Sequence, residues 1–382
     1  MSDYFITEVS DGDYDTNEQI HSLLESEGIH KDKHLDYTCA MFDESMHVIA
    51  TGSCFSNTLR CLAVSSTHQG EGLMNQIITH LISVQFTRGN THLFLYTKVE
   101  SSPFFSGLGF YEIANIKNKI VFMENIRNGF SSYLKNLRCE SQLLPKQEKI
   151  NTEIPIPLQP PVETATHPQK KIAALVINAN PFTSGHQYLI EKASQENDIL
   201  HLFIVEEDAS LIPFAIRKKL VLEGTSHLNN IIYHDSGSYI ISNATFPAYF
   251  QKDDRAVMEG HAELDLAIFI KIAKELHITK RYIGEEPFSE VTQIYNTIMS
   301  RELPENGINC AIIPRKEFSC NTPENSSASR PISASLVRQA LKDRNFKLLE
   351  QLVPETTLQY FKSKEASPVL QRIDSSTTVI HH

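Results

Sequence analysis

Residues 178–186 (NANPFTSGH) combine residue types that are suited to binding phosphate. They follow an apolar stretch that predicts a strand, and they precede a helical pattern. Gly185 allows the backbone to come close to a ligand, and the start of a helix offers unpaired N–H groups and a positive dipole end. Thr183 and His186 are placed to donate hydrogen bonds to phosphate oxygens. The alternative is that Thr183 only caps the helix and His186 is a surface residue.

Residues 332–338 (ISASLVR) have complementary chemistry. Ser333 and Ser335 can cap a helix or hold phosphate oxygens, and Arg338 can form a bidentate contact with phosphate. By itself this segment is typical of an ordinary capped helix. Together the two segments indicate a nucleotide site, because transfer at phosphorus requires mainly positioning and charge stabilisation.

Other candidate residues also follow predicted strands. Arg217 suits either a second phosphate or carboxylate contact or a solvated helix face. Gly284 and Glu285 are expected near the nucleotide, because ligands of a parallel sheet lie at the carboxyl ends of its strands. Arg315 and Lys316 suit phosphate binding or a position on the rim.

The elements that must position these residues alternate in type. The pattern predicts an α/β fold with a Rossmann-like, doubly wound parallel sheet, because repeated strand–helix units form such sheets. The predicted strands are residues 172–178, 200–205, 231–234, 281–284 and 309–313. The predicted helices are residues 186–196, 214–224, 263–276, 289–301 and 334–343.

A proline-rich run divides the chain. Residues 145–170 contain six prolines and little apolar periodicity, which is typical of an extended linker. The predicted domains are residues 1–143 and 171–362, joined by a linker at 144–170 and followed by a polar, frayed tail at 363–382. Residues 319–330 are polar throughout and predict a mobile loop.

Composition restricts the function. The formal net charge is −11, so binding to nucleic acid, which relies on clustered basic residues, is not expected. The N-terminus does not resemble a secretory signal, and no stretch is apolar for the roughly 18–20 residues of a membrane helix. The six cysteines lack CxxC spacing, which favours buried, reduced thiols in a cytoplasmic protein and no metal site.

The pair T-x-G-H and I-S-x-S-x-x-R resembles the HIGH-type nucleotidyltransferase superfamily. That resemblance implies attack at the α-phosphate of ATP with release of pyrophosphate. His186, Thr183 and Arg338 would then stabilise the transition state, with Mg²⁺ bridging the phosphates of ATP. The implied ATP-binding residues are Asn178, Asn180, Pro181, Phe182, Gly185, Arg217, Gly284, Glu285, Ser333 and Ser335.

A longer series of segments is similar to the citrate lyase ligase family. The series includes NANPFTSGHQYLIEKA, FIVEEDASLIPFAIRKKLV, SGSYIISNATFPAYF, RYIGEEPFSEVTQIYNTIM and PISASLVRQAL, in this order. The resemblance implies an AMP-forming acid–thiol ligase. Such an enzyme adenylates acetate and transfers the acetyl group to the prosthetic-group thiol of the acyl carrier protein subunit of citrate lyase, which activates that enzyme.

The N-terminal region predicts strands at 47–55, 60–64 and 92–97 around a helix at 70–85. Between them, VSSTHQGEGLM resembles the cofactor-binding motif of the GNAT acetyltransferases. Gln69, Gly70 and Gly72 fit that pattern, whereas Met74 stands where Gly or Ala is usual. The resemblance implies a GNAT-like α+β domain, which we interpret as a module that grips the coenzyme A-like arm of the carrier protein.

Three other functions fit the same residues. One is an adenylyltransferase of the coenzyme A or NAD synthesis type, which leaves AMP on its product. Another is a GNAT N-acetyltransferase with a regulatory nucleotide domain. The third is a nucleotide-sensing scaffold without turnover.

Overall fold

The structure of the chain, a computed structural model, describes residues 4–32, 35–117, 119–142, 170–206, 210–240, 254–285, 290–322 and 325–376. The predicted linker therefore lies almost wholly outside the described residues. Two compact units are present. The first consists of Met1–Tyr133, Tyr239–Lys271 and Pro287–Glu302, and the second of Leu134–Ser238, Ile272–Glu286 and Leu303–His382. The described residues 254–271 and 290–302, which the sequence places in the second domain, thus group with the N-terminal region.

The first unit is built on a seven-stranded sheet with the order β1-β2-β3-β4-β5-β7-β6. All neighbours in it are antiparallel except β4 and β5. The strands are β1 (Phe5–Glu8), β2 (Tyr37–Phe42), β3 (Val48–Phe55), β4 (Thr58–Val64), β5 (Phe94–Thr97), β6 (Tyr111–Ile116) and β7 (Ile120–Glu124). The helices are α1 (Tyr14–Ser26), α2 (Leu73–Thr87), α3 (Ser102–Gly107) and α4 (Gly129–Ser141), the last of which continues into the second unit. The predicted mixed α+β arrangement is confirmed.

The second unit is built on a five-stranded parallel sheet with the order β10-β9-β8-β11-β12. Its strands are β8 (Ile172–Ile177), β9 (Ile199–Ile204), β10 (Ile231–Asp235), β11 (Lys280–Gly284) and β12 (Asn309–Ile313). The chain builds the sheet outward from β8 to β10 and then crosses back to β11. The predicted doubly wound sheet is therefore confirmed, with strand bounds within a residue or two of those predicted.

Helices connect and cover these strands. They are α5 (Ser184–Glu196), α6 (Phe214–Gly224), α7 (Asp254–Glu275), α8 (Glu290–Glu305), α9 (Ala334–Lys342), α10 (Phe346–Leu352), α11 (Glu355–Lys362) and α12 (Ser367–Ser375). Helices α7 and α8 are divided between the two units. Among the described residues, no helix has both the length and the apolar character needed to cross a membrane.

Two polar segments are more ordered than the sequence predicts. Within residues 317–331, strands β13 (Glu317–Thr322) and β14 (Asn325–Pro331) form an antiparallel hairpin, because backbone hydrogen bonds do not require apolar side chains. Residues 364–375, predicted as frayed tail, form a 3-10 turn and helix α12. Val369 and Ile373 lie one turn apart and are 1% and 0% exposed, so α12 packs its narrow apolar face into the core.

The thiols agree only partly with the prediction of buried cysteines. Cys39, Cys54 and Cys61 are buried, and burial raises their pKa values to about 12, about 11 and about 12. Cys139 is exposed and Cys310 is half-buried. Among the described cysteines, no pair is joined in a disulfide.

Two buried histidines lie side by side in the second unit. His201 of β9 and His234 of β10 are 2% and 1% exposed, and their rings stack with a 2.9 Å contact between Nδ1 and Nε2. The other nitrogen of His234, Nδ1, lies 2.5 Å from a carboxylate oxygen of Glu140 on α4. Burial lowers the pKa of His201 to about 3 and that of His234 to about 4. Both rings are therefore neutral at physiological pH.

These histidines predict that acid destabilises the fold. In the unfolded chain they bind protons near pH 6.5, while the folded protein resists protonation until about pH 4 or below. The free energy of unfolding should fall as the pH is lowered from about 6.5 towards 4, by on the order of 2 kcal/mol per histidine at the acid end. Denaturant titration of the wild type and His201→Gln across this range measures the effect. His227→Gln, at an exposed histidine of the same unit, is the control. A His201→Gln curve as steep as that of the wild type would contradict the assignment.

Candidate active site

The order of the parallel sheet reverses at one position. From β8 the chain adds β9 and β10 on one side, and it then returns to add β11 and β12 on the other side. This position lies between β8 and β11, which pair at Ala173–Ala174 against Lys280–Arg281. In doubly wound sheets, ligands bind outside the carboxyl ends of the strands at this position. The carboxyl ends here are Ile177 and Gly284, so the turn from β8 to α5 and the residues after β11 border the expected crevice.

The start of α5 is closed by a reciprocal pair of hydrogen bonds. The Thr183 side chain accepts from the backbone N–H of His186 at 3.2 Å, and the Thr183 backbone N–H donates to His186 Nδ1 at 3.1 Å. This capping box satisfies two N–H groups that a helix start leaves unpaired. The prediction that Thr183 caps the helix is correct, and the cap also fixes the imidazole.

The cap determines where His186 carries its proton. Because Nδ1 accepts from the Thr183 N–H, the neutral ring has its proton on Nε2. Burial, with a smaller effect of the nearby Arg315 charge, lowers the pKa of His186 to about 4. The half-buried ring is therefore neutral at physiological pH and presents Nε2–H as a hydrogen-bond donor.

Phe182 supports this histidine from within the protein. Its side chain is fully buried, and its ring lies nearly parallel to that of His186, with 6.1 Å between centroids. A Cβ atom on Gly224 of α6 would lie 2.4 Å from the Phe182 ring, so only glycine fits there. Gln187 Nε2 donates to the Gly224 carbonyl at 2.8 Å. Sequence reasoning missed both Gly224 and Gln187. A glycine within a helical pattern was the available signal for the first.

The second motif begins α9 beside this turn. Ser333 is the N-cap residue, and its side chain accepts from the Leu336 N–H at 3.1 Å. Arg338 is 1% exposed, and it donates from Nη1 to the Asn180 carbonyl at 2.6 Å and from Nη2 to Ser335 Oγ at 3.2 Å. Burial lowers the pKa of Arg338 to about 10, so it remains charged at neutral pH. The structure thus brings the two motifs together.

Arg217 is not on a solvated helix face. It is fully buried, and its Nη1 lies within 2.9 Å of the Asn178 carbonyl, the Asn178 side-chain oxygen and the Val205 carbonyl. Its Nε donates to the Ile212 carbonyl at 3.0 Å. Arg217 therefore connects the carboxyl ends of β8 and β9 to the loop before α6. These contacts are structural, because every one of them is made to an oxygen of the protein.

The remaining candidates of the second unit occupy the same edge. Asn180 and Pro181 are buried, and the Asn180 side-chain oxygen accepts from the Ile212 N–H at 3.2 Å. Gly185 lies against Ile332, whose carbonyl oxygen would be 3.7 Å from an added Cβ atom. Gly284 ends β11. The Glu285 carbonyl accepts from Arg315 at 2.9 Å.

The first unit contains a separate cavity of about 640 Å³. It opens where β4 and β5, which pair at Thr58–Leu59 against Phe94–Leu95, part towards their carboxyl ends. Gln69, Gly70 and Gly72 line it, and Gly72 precedes the first residue of α2. The φ angles of Gly70 and Gly72 are 89° and 78°, which favour glycine at both positions. Met74 also forms part of the wall.

The second unit is thus an α/β domain in which a capped histidine follows a strand end and a Ser-capped helix with a buried arginine contacts the same turn. Comparison with known proteins places the chain more closely. A sequence model described as "citrate lyase ligase C-terminal domain" matches residues 172–361. The citrate (pro-3S)-lyase ligase of Escherichia coli K12 is 36% identical over 317 residues, which are 83% of this chain and 82% of that protein. That of Haemophilus influenzae Rd is 34% identical over 90% of this chain and 94% of that protein. The chain belongs to the citrate lyase ligase family, as the motif series predicts.

Solved structures show more distant similarity. A protein named as a nicotinate-nucleotide adenylyltransferase, from Vibrio parahaemolyticus, covers 55% of this chain and 98% of its own, at 17% identity and a TM-score of 0.35. A GNAT-family acetyltransferase from Staphylococcus aureus covers 32% of this chain and 99% of its own, at 12% identity and a TM-score of 0.28.

The contact between Phe182 and Gly224 predicts an unusual helix substitution. Replacing glycine by alanine within a helix normally stabilises it, by about 0.5–1 kcal/mol. Gly224→Ala should instead destabilise the protein by about 1–3 kcal/mol, because the added methyl group overlaps the Phe182 ring. Gly107→Ala is the matched control, since an added Cβ atom there meets no atom within 4 Å. Chemical denaturation of both variants measures the difference. A stabilised Gly224→Ala variant would exclude the close contact.

Proposed function

We propose that this chain carries out the reaction for which its relatives are named, as an ATP-dependent ligase acting on citrate lyase. It adenylates acetate and then transfers the acetyl group to the prosthetic-group thiol of the acyl carrier protein subunit. The observation that carries the proposal is the Nε2–H donor of His186, fixed by Thr183 and placed beside the start of α9. Donors and helix starts of this kind stabilise charge that develops on phosphate.

In the first step, an acetate oxygen attacks the α-phosphorus of ATP. The new P–O bond gives acetyl adenylate, and the bond to the β-phosphate breaks and releases pyrophosphate. His186 Nε2–H donates to an α-phosphate oxygen, whose negative charge grows in the transition state. The N–H groups at the starts of α5 and α9 bind other phosphate oxygens.

Mg²⁺ would arrive with ATP and would neutralise part of the charge of its phosphates. Among the described residues, no three His, Cys, Asp or Glu side chains form a cluster suited to a metal. The residues of the chain that serve this substrate are those that bind phosphate oxygens, chiefly Ser333, Ser335 and the backbone of α5.

The buried arginines act from beneath the site. Arg338 reaches it through Ser335 and contributes positive charge, which acts strongly because it is shielded from water. Arg217 holds Asn178 and is a positioning residue in this proposal. Both keep the β8–α5 turn in the shape that aims His186.

In the second step, the carrier-protein thiolate attacks the acetyl carbonyl carbon. A C–S bond forms, the bond between the acyl group and the adenylate oxygen breaks, and AMP leaves. The thiol proton passes to solvent. Acyl transfer from an adenylate requires mainly orientation of the thiolate, so no cysteine of this chain is needed as an intermediate carrier.

A pyrophosphate-release assay with ATP and a panel of small carboxylates tests the proposal. Release should depend on acetate, and AMP should appear free once carrier protein is added. His186→Ala should lower the rate about 10²–10³-fold while ATP binding is mostly kept, because the donor acts chiefly on the transition state. A His186→Ala rate near that of the wild type would exclude the role of the imidazole.

His186→Gln separates catalysis from folding. Glutamine at the third helical position can still hydrogen-bond back to the N-cap N–H, so the cap with Thr183 should survive. This variant should unfold at nearly the wild-type denaturant concentration and yet lose most of its activity.

The product of the wild-type reaction separates the ligase from its main alternative. AMP that remained covalently attached to a phosphorylated product would instead identify an adenylyltransferase.

For the first unit, we propose that the cavity beside Gln69, Gly70 and Gly72 receives the coenzyme A-like arm of the carrier protein. The starting turn of α2 offers backbone N–H groups to phosphate oxygens of such an arm. The parted strands β4 and β5 leave a slot into which an extended chain can enter. The volume of about 640 Å³ lies within the range of small-molecule sites.

Met74 provides a graded test of this cavity. Met74→Trp should narrow it and raise the KM for carrier protein at least about tenfold, whereas Met74→Ala should leave that KM unchanged or lower it. Acetate-dependent pyrophosphate release should be the same in both variants, because the nucleotide site is in the other unit. Equal KM values in both variants and the wild type would place the arm elsewhere.

A further inference from the structure

Arg315 stands where three parts of the nucleotide site meet. It follows the end of β12, and its Nε donates to the carbonyl of Glu285, which follows β11, at 2.9 Å. Its Nη1 lies 3.5 Å from the carbonyl of Ile332, the residue before the N-cap of α9. Its positive charge is also close enough to His186 to disfavour protonation of that ring.

The three arginines of this site differ in their access to a ligand. Arg217 and Arg338 are 0% and 1% exposed, and their contacts described above are made to oxygens of the surrounding loops and of Ser335. Arg315 is half-buried, so part of its side chain meets solvent. A guanidinium group has five N–H donors in a planar fork, which matches the geometry of phosphate oxygens.

The charge of the substrate requires such a group. ATP carries several negative charges, and the chain as a whole has a net charge of −11. Local cations must therefore overcome an unfavourable long-range field. Buried arginines contribute to the local potential, but a direct contact needs a guanidinium that the ligand can reach.

We propose that Arg315 binds the triphosphate of ATP directly and is the solvent-accessible arginine of the nucleotide site. On ATP binding, its fork turns from the two loop carbonyls towards phosphate oxygens, between the β8–α5 turn and the start of α9. This assignment deepens the proposed function and rests on ATP being the nucleotide bound there.

Comparing ATP with adenosine separates a contact from a structural role. In titration calorimetry with the full chain, Arg315→Gln should weaken ATP binding about 10- to 100-fold, the usual range for losing a hydrogen bond to a charged group. Adenosine binding should change less than about twofold, because adenosine has no phosphate. Arg315→Lys should lie between, since it keeps the charge and loses the fork. Lys347→Gln, at an exposed residue of α10, is the control and should leave both affinities unchanged.

A measurement of the His186 pKa adds an independent check on the position of Arg315. Removing the Arg315 charge should raise the pKa of His186, measured by NMR, which checks that the two groups are neighbours in solution. Loss of ATP and adenosine affinity to the same degree, or of neither, would overturn the proposal. If Arg315→Gln fails to fold, the ratio of ATP to adenosine affinity in Arg315→Lys decides. Because binding is measured without acetate, a failure of the ligase reaction and a failure of this assignment are distinguishable.

Discussion

Two backbone carbonyls in the turn after β8, those of Asn178 and Asn180, each accept a hydrogen bond from a buried arginine. The constraint is mutual. A buried carbonyl requires a donor, and a buried guanidinium requires acceptors, since either one alone would be costly. Arg217 comes from α6 and Arg338 from α9, so the turn is fixed by two helices that both follow it and lie far apart in the sequence. The geometry of the site follows from this pair of contacts.

A fixed turn determines the direction of His186. The Thr183 N–H can occupy Nδ1 only if the turn enters α5 at the correct angle, and Phe182 fills the space below the ring. The close approach of Phe182 to α6 depends on Gly224, so packing in the core contributes to the aim of the donor. The backbone of the turn, the helix cap and the packing of Phe182 therefore all help to fix the orientation of the His186 imidazole.

The sequence predicts the five parallel strands of the second unit and helices α5, α6 and α9 closely, because apolar runs and helical periodicity depend on local pattern. It begins α7 too late and does not predict α10 or α11. It predicts that residues 178–186 and residues 332–338 come together, because residues that follow parallel strands share one edge. It does not distinguish a phosphate-binding arginine from one that holds a turn. Burial excludes the solvated helix face for Arg217, and its phosphate contact stays a prediction. Whether an arginine is open to a ligand depends on its burial, and its burial depends on which loops pack around it. Helix α12 was missed because two apolar residues one turn apart, Val369 and Ile373, are a weak signal in a polar segment.

A neutral histidine suits this chemistry better than a charged one. A cation at this position would attract the phosphates of bound ATP as strongly as those of the transition state, and uniform binding does not accelerate the chemical step. A neutral Nε2–H donor depends more on direction, and its hydrogen bond strengthens as charge grows on the oxygen that it faces. Desolvation keeps the ring neutral at physiological pH, and the cap on Nδ1 keeps its remaining proton on Nε2. In the proposed mechanism, the arginines supply attraction for the nucleotide, and the histidine discriminates between the ground state and the transition state.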